Sequence, residues 1–324
     1  MNIEPLLEAM QKSAILCRDV QQNFLVRSDK AGKEPVTIGD YGTQAILCRA
    51  LRNHFPNDAV IAEESGSQFA ELVEPEQKAQ IIELVSHAIG EQVDEARLIS
   101  WLDHGKDVDS QRKWFLDPID GTKGFLAKRH YVNALGLVDG DKMLASVIGA
   151  PAYPGDGAGK LIYAFEDVGY IQSMNGGGKR EIHVTDRSDI ASLRALESVE
   201  KGHVGHARLA RVREILGIPE NLVEQADSME KYSRIAAGDA EVYMRLSRLK
   251  STRPHKGWDH VPGAHLVLVA GGKVTGLNGE PLDFSHGKNL NNEGIIASNG
   301  TIHDQIIEAV QQLLEEERLE QVDS

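Results

Sequence analysis

From residue 114 to about 184 the apolar residues fall in short runs separated by tight-turn signals, and from Thr185 onward the texture changes to alternating helix and strand patterns. That switch constrains the fold more than any other feature. Residues 114–116, 131–138 and 143–148 read as strands, the last two joined at Asp139-Gly140-Asp141, and Asn175-Gly176 marks a further turn. Beyond it come helical patterns near 205–216, 229–238 and 260–270, a strand at 241–246 and a last helix from Thr301, with Asp304 three residues on as in a capping box. Consecutive strands predict an α+β domain over 1–184, and alternation predicts an α/β domain over 185–324.

Ahead of the strands, 4–25 and 40–54 carry helical spacing and 59–62 reads as a strand ending in Glu63-Glu64. Residues 64–113 are mostly polar, with one helical segment at 75–90 and an irregular acidic stretch around Asp103, Asp107 and Asp109, an insertion between two strands whose acids read as solvated. The opening segment sets Glu4 and Glu8 among Leu7, Met10, Ala14, Cys17 and Phe24, which reads as an amphipathic helix and not a signal peptide. No 18 uncharged apolar residues run together, so no membrane span is expected, and Cys17 and Cys48, the only cysteines, read as reduced core thiols of a cytoplasmic protein. The 35 Lys and Arg against 49 Asp and Glu give a formal charge of -14, which argues against a nucleic-acid polymer as partner and requires a local cation for any anionic substrate. The sequence leaves the oligomeric state open.

Asp117-Pro118-Ile119-Asp120-Gly121-Thr122 ends the 114–116 run. Pro118 removes a backbone donor and Gly121 permits a tight turn, so two carboxylates can converge on one side, and crowded carboxylates call for a bridging cation of the Mg²⁺ type. A chain turning into a helix there would also aim the Gly121 and Thr122 amides at a phosphate oxygen. Alone, the hexapeptide equally fits a turn with solvated acids, Glu63-Glu64 fits a plain strand end, and Asp259 in Gly257-Trp258-Asp259-His260 fits a helix N-cap. The glycine-rich 155–160 segment precedes a strand pattern and reads as a hairpin loop, not a phosphate loop, and the pairs His203/His206 and His260/His265 lack the cysteine company of zinc sites.

Taken in order, Glu63-Glu64, Asp117 to Thr122 and Trp258-Asp259 followed by Gly263 and Gly271-Gly272 resemble the lithium-sensitive, magnesium-dependent phosphatases related to inositol monophosphatase, over roughly residues 36–285. Within them the chain is most similar to the 3'(2'),5'-bisphosphate nucleotidases. Val36-Thr37-Ile38-Gly39-Asp40-Tyr41, Lys123-Gly124-Phe125, Ser198 to His203, Ser228 to Tyr232 and the 54-position separation of Glu63 from Asp117 (117 minus 63) carry that narrower likeness. One departure is Val274-Thr275-Gly276, where such proteins often place an Asp.

The resemblance implies a layered αβαβα sandwich and hydrolysis of the 3'-phosphate of adenosine 3',5'-bisphosphate to AMP, with its sulfated form as a further candidate. The alternatives are a phosphatase of inositol phosphates or other sugar bisphosphates, and an inactive nucleotide-binding regulator. It implies two or three Mg²⁺: one on Glu63, Asp117 and the Ile119 carbonyl, a second on Asp117, Asp120 and Asp259, and a third near Glu63. Thr122, oriented by Asp40, would position and help deprotonate the attacking water. Lys231 and Arg245 are expected to hold the uncleaved phosphate, with His203 and Ser228 on the nucleoside; the competing expectation pairs the two cations with Glu230 and Asp239.

Overall fold

A computed structural model describes residues 1–23, 34–155, 157–199, 205–246, 254–284 and 287–322. Helices α1 (Glu4–Asn23) and α2 (Glu34–His54) pack side by side. Helix α2 starts six residues before the expected 40, because Gly39 and Gly42 serve packing and do not break the helix. A Cβ on Gly39 would lie 2.6 Å from Ile119 Cδ1, and one on Gly42 would lie 3.1 Å from Leu16 Cδ2.

Strand β1 (Ala59–Ala62) is followed by α3 (Gly66–Leu72), α4 (Pro75–Ile89) and α5 (Glu95–Leu102), of which the sequence pattern showed only the second. Asp103, expected in solvent, accepts the Gly66 amide at 2.9 Å and so fixes the start of α3; Asp107 and Asp109 are exposed. The meander is β2 (Arg112–Asp120), β3 (Val132–Asp139), β4 (Lys142–Ala150), β5 (Lys160–Phe165), β6 (Val168–Ser173) and β7 (Arg180–Glu181), with α6 (Thr122–Leu126) after β2. The seven strands form one sheet in sequence order, parallel only between β1 and β2. Lys160 opens β5, so the 155–160 segment leads into a strand.

The later half runs β8 (Ala195–Glu197), α7 (His206–Leu216), β9 (Val223–Gln225), α8 (Glu230–Ala236), β10 (Val242–Leu246), β11 (His255–Lys256), α9 (Val261–Val269), β12 (Lys273–Thr275), β13 (Asn289–Leu290), β14 (Gly294–Ser298) and α10 (His303–Val322). Its five-stranded sheet has the order β12-β14-β10-β8-β9. The last helix begins at His303, two residues beyond Thr301.

Trp114, Leu116, Leu135, Leu137 and Val147 bury one face of the first sheet against α1 and α2. Phe115, Val132, Ala134 and Ile148 on the other face meet Tyr232 of α8, Val261 and Leu266 of α9, and Tyr243, Ile295 and Ala297 of the second sheet. The far side of that sheet packs Val242, Met244 and Ile296 on Leu209 of α7 and Ile306 and Val310 of α10. Five layers, αβαβα, result. Strands covered on both faces favour apolar residues at successive positions, which is why 131–138 carries no polar side chain but Tyr131 and buried Asn133. Among the described residues no helix is long and apolar enough to cross a membrane, and both cysteines are free and buried.

Two buried histidines tie layers together as neutral rings. His265 Nδ1 lies 3.0 Å from Ser146 Oγ, and His303 bonds Ser298 Oγ at 2.8 Å and Thr275 Oγ1 at 2.9 Å. Burial pushes both imidazoles down to about 4. Each therefore takes up a proton on unfolding in acid: stability is intact above about pH 6.5 and is lost as pH falls toward 4, by about 1.4 kcal/mol per pH unit per ring. Urea unfolding between pH 7 and 4.5 should therefore differ between the parent protein and His303→Gln by about one proton in slope, the raised carboxyls of the chain acting oppositely but equally in both; an unchanged slope refutes the assignment.

Candidate active site

Strand β2 enters the site through a bulge. Asp117 pairs with Ala134 and Asp120 with Val132, so three steps on β2 match two on β3. Residues opposed in an antiparallel ladder share a face, and Ala134 and Val132 both face the layer between the sheets. The extra residue thus brings Asp117 and Asp120 to that face, where an odd spacing would have split them. Pro118 has no amide to offer the ladder, and its carbonyl accepts instead from buried Asn133 Nδ2 at 2.5 Å. The same nitrogen lies 3.3 Å from Cys17 Sγ, itself 3.0 Å from Thr43 Oγ1, so α1 and α2 brace the bulge. Gly121 then turns at φ +92° and α6 starts at Thr122.

Glu63 follows β1, which is registered on β2 with Ile61 opposite Phe115. Gln44 of α2 holds the next residue's backbone in both directions, to Glu64 O at 2.8 Å and from Glu64 N at 3.0 Å, and the Tyr41 phenol bonds the Glu64 carboxylate. Asp259 lies in the 3₁₀ turn Gly257–Asp259, and helix α9 is capped by His260, so the N-cap reading of Asp259 does not hold. A Cβ on Gly257 would lie 2.3 Å from Phe115 Cε1, so only glycine lets this turn close on β2.

Glu63, Asp117, Asp120 and Asp259 crowd one another. Burial first, then the neighbouring carboxylates, raises the Asp117 carboxyl well above its ordinary range, and the same two causes raise Glu63 and Asp120. Asp117 Oδ1 is buried without a hydrogen-bond partner. Asp120 is partly compensated by the Met229 amide and by Lys231 and Arg245, and Arg245 Nη1 stands 3.6 Å from Asp259 Oδ2. Hard oxygen donors, an orphaned carboxylate oxygen and mutual repulsion fit a divalent cation of the magnesium type, although among the described residues no three such groups yet close into a finished cage.

A cleft of about 280 Å³ opens beside the carboxylates and brings together Asp120, Thr122, Ser228, Lys231, Arg245 and Asp259. Thr122 Oγ1 donates to the Ile119 carbonyl at 3.4 Å; among the described residues it makes no bond to Asp40, which is buried on α2 and raised by burial and by Glu64 and Glu63. Lys231 is buried, with Nζ on the carbonyls of Ala226 (3.0 Å) and Ser228 (2.7 Å), and burial brings it down to about 8. The pairing with Glu230 and Asp239 does not form, since Glu230 bonds His130 at 2.7 Å and Asp239 accepts from the Tyr153 hydroxyl at 2.6 Å. His203 lies outside the described residues. Lys123 and Tyr243 also line the cleft without having been singled out. Lys123 sits inside a quoted motif, whereas Tyr243 carried no sequence signal beyond that of a core strand.

The model of the inositol monophosphatase family matches residues 3–315. The 3'(2'),5'-bisphosphate nucleotidase of Emericella nidulans is 34% identical, covering 94% of this chain and 96% of its own, and that of Schizosaccharomyces pombe is 33% identical over 94% and 93%. The crystal structure of CysQ from Bacteroides thetaiotaomicron, described as a bacterial member of the inositol monophosphatase family, superposes with a TM-score of 0.62 at 20% identity, over 92% of this chain and 97% of that one. At that identity it speaks for the fold alone.

The crowding of acids makes a prediction that needs no turnover. Asp120→Asn keeps an acceptor for the Met229 amide and removes one charge, so in EDTA at pH 8 its thermal midpoint should lie about 2–4 °C above that of the parent protein. A lower midpoint would show that Asp120 is already neutralised by Lys231 and Arg245.

Proposed function

The chain belongs to the inositol monophosphatase family, and on that premise we propose that it hydrolyses the 3'-phosphate of adenosine 3',5'-bisphosphate, releasing AMP and phosphate. The observation that carries this reading is the polarity of the cleft: carboxylates at one end and Arg245 and Lys231 beside them, an arrangement suited to a substrate with one phosphate to cleave and another to hold. The relatives named as 3'(2'),5'-bisphosphate nucleotidases, aligned over nearly the whole chain, support the same reaction.

Glu63, Asp117, Asp120, Asp259 and the Ile119 carbonyl would hold two or three Mg²⁺, which supply Lewis-acid charge to the phosphate and to the departing oxygen. The chain's own groups do the positioning. The amides of Gly121 and Thr122 face the phosphate, and the Thr122 hydroxyl orients the attacking water. Asp40, raised by burial beside Glu64 and Glu63, takes the water's proton in the hydrolytic step once the Thr122 hydroxyl turns toward it from the Ile119 carbonyl. The water oxygen bonds to phosphorus as the bond to the ribose 3'-oxygen breaks, and a proton returns to that oxygen. Arg245 takes the second phosphate, while Lys231 holds the Ser228 turn and lends its charge. We assign the reaction to the cytoplasm, in keeping with two free buried thiols, and read 1–184 as the domain that contributes most of the metal ligands and 185–324 as the domain that contributes Asp259 and the substrate-selecting residues.

Phosphate release over a panel of nucleotide, inositol and sugar phosphates should favour adenosine 3',5'-bisphosphate. It should require Mg²⁺, accept Mn²⁺, and fall with excess Ca²⁺ and with lithium; full activity after exhaustive chelation rejects the metal site. Thr122→Ala should lower kcat with KM little changed. Arg245→Ala should raise KM for the bisphosphate about ten- to a hundredfold, the worth of one charge-assisted contact, and leave an adenosine monophosphate nearly unaffected; equal effects on both would remove Arg245 from substrate selection.

A further inference from the structure

The second wall of the cleft is the turn 227–231, and it is an improbable piece of backbone. Ser228 is not glycine yet sits at φ +63°, a conformation that costs about 1 kcal/mol or more and persists only where neighbours impose it. The Lys231 ammonium grips the turn from inside, as described. From outside, two ion pairs reach it from the segment that follows α6. Arg129 Nε donates to Asp227 Oδ2 at 3.2 Å, and His130 Nδ1 bonds Glu230 Oε2 at 2.7 Å. Glu230 is fully buried, and its other oxygen, Oε1, has no hydrogen-bond partner, so His130 is the side chain that bonds this carboxylate, with the Lys231 charge nearby. The contact with Glu230 holds the imidazole above its ordinary range against its own burial, and Asp227 adds to that effect while Arg234 opposes it.

Glycine makes the approach possible. A Cβ on Gly124 would fall 2.0 Å from the His130 carbonyl and 2.9 Å from Asp227 Oδ2, and one on Gly121 would fall 3.0 Å from Ser228 Cβ. The Arg129 amide closes the segment back on the Gly124 carbonyl at 2.8 Å. The two walls therefore touch at Gly121 and Gly124 and are pinned just behind by opposite charges. The turn so placed carries the Met229 amide that bonds Asp120, and Ser228 and Lys231 of the cleft.

We propose that His130–Glu230 and Arg129–Asp227 form a clamp that positions the 227–231 turn against α6 and thereby sets the preference for a substrate bearing a second phosphate. The selectivity half of this statement rests on the reaction proposed above; the positioning half does not. None of the four side chains touches the reacting phosphate in this scheme, so they are positioning residues.

Glu230→Gln keeps the shape and a bond to His130 but removes the charge, and His130→Gln removes the other partner at a half-buried position. Amide hydrogen exchange of the metal-free variants should quicken at 226–236 and stay unchanged in α1, α2 and β3–β6. The ratio of kcat/KM on adenosine 3',5'-bisphosphate to that on adenosine 3'-monophosphate should fall about tenfold, mostly through KM, and the double variant should be no worse than either single one, as for one coupled unit. Unchanged exchange at 226–236 overturns the clamp, and equal losses on both substrates overturn its role in selectivity. If Glu230→Gln does not fold, His130→Gln carries the same comparison. A parent enzyme without preference for the bisphosphate would defeat the proposed reaction, while the exchange measurement would still decide the clamp.

Discussion

At Pro118 the ladder between β2 and β3 gains one residue, and the missing proline amide is why it can do so there. The consequence is geometric: two aspartates three positions apart, which a regular strand would send to opposite faces, share one. Buried Asn133 then satisfies the displaced Pro118 carbonyl, and a short polar relay through Cys17 and Thr43 joins the bulge to both opening helices. Gly39 lets α2 approach Ile119 and Gly257 lets the Asp259 turn approach Phe115. The remaining elements of the site are brought to this bulge, not it to them.

The arrangement runs against local stability. Four carboxyl groups meet, burial disfavours the charge of Glu63, Asp117 and Asp120, one oxygen among them is orphaned, and buried Lys231 and half-buried Arg245 stand beside them. Structural ion pairs in this chain look different: Arg208 with Glu317 and Arg211 with Glu316 join α7 to α10 in bidentate fashion at 2.7–2.9 Å, each carboxylate facing a guanidinium. A surplus of one charge, held in place by a separately braced backbone, distinguishes a site built to receive something from a site that is merely paired.

What the sequence revealed follows from where the information lies. The hexapeptide from Asp117 to Thr122 holds proline, glycine and both acids within one turn, so a candidate site was visible locally, although alone it fitted a turn with solvated acids equally well. Glu63 and Asp259 gained meaning only from their order around it. Strands of the first sheet showed as apolar runs because both faces are covered. Helices α3 and α5 escaped notice because they are short, seven and eight residues, and α2 was started late because Gly39 and Gly42 read as breakers when they are contact points. Lys231 had the right address but the wrong neighbours: an ammonium bound to two backbone carbonyls leaves no trace in a pattern of residue types. His130 and Glu230 stand 100 positions apart, beyond any spacing rule.

The borders of the two sheets have a consequence for how copies of this chain meet one another. An open sheet ends in unpaired amides and carbonyls that invite a foreign strand, and neither sheet here is closed. At one border of the first sheet β7 is two residues long, Arg180 and Glu181, both exposed and charged. At the other, the loop at Gly105 lies along β1, its carbonyl accepting the Val60 amide at 3.0 Å. The second sheet ends in three-residue strands, β9 with Glu224 and Gln225 exposed and β12 with Lys273 exposed. Shortness, charge and one covering loop deny a template to strand addition, so a chain rich in β-structure can be crowded in solution without its sheets growing from molecule to molecule.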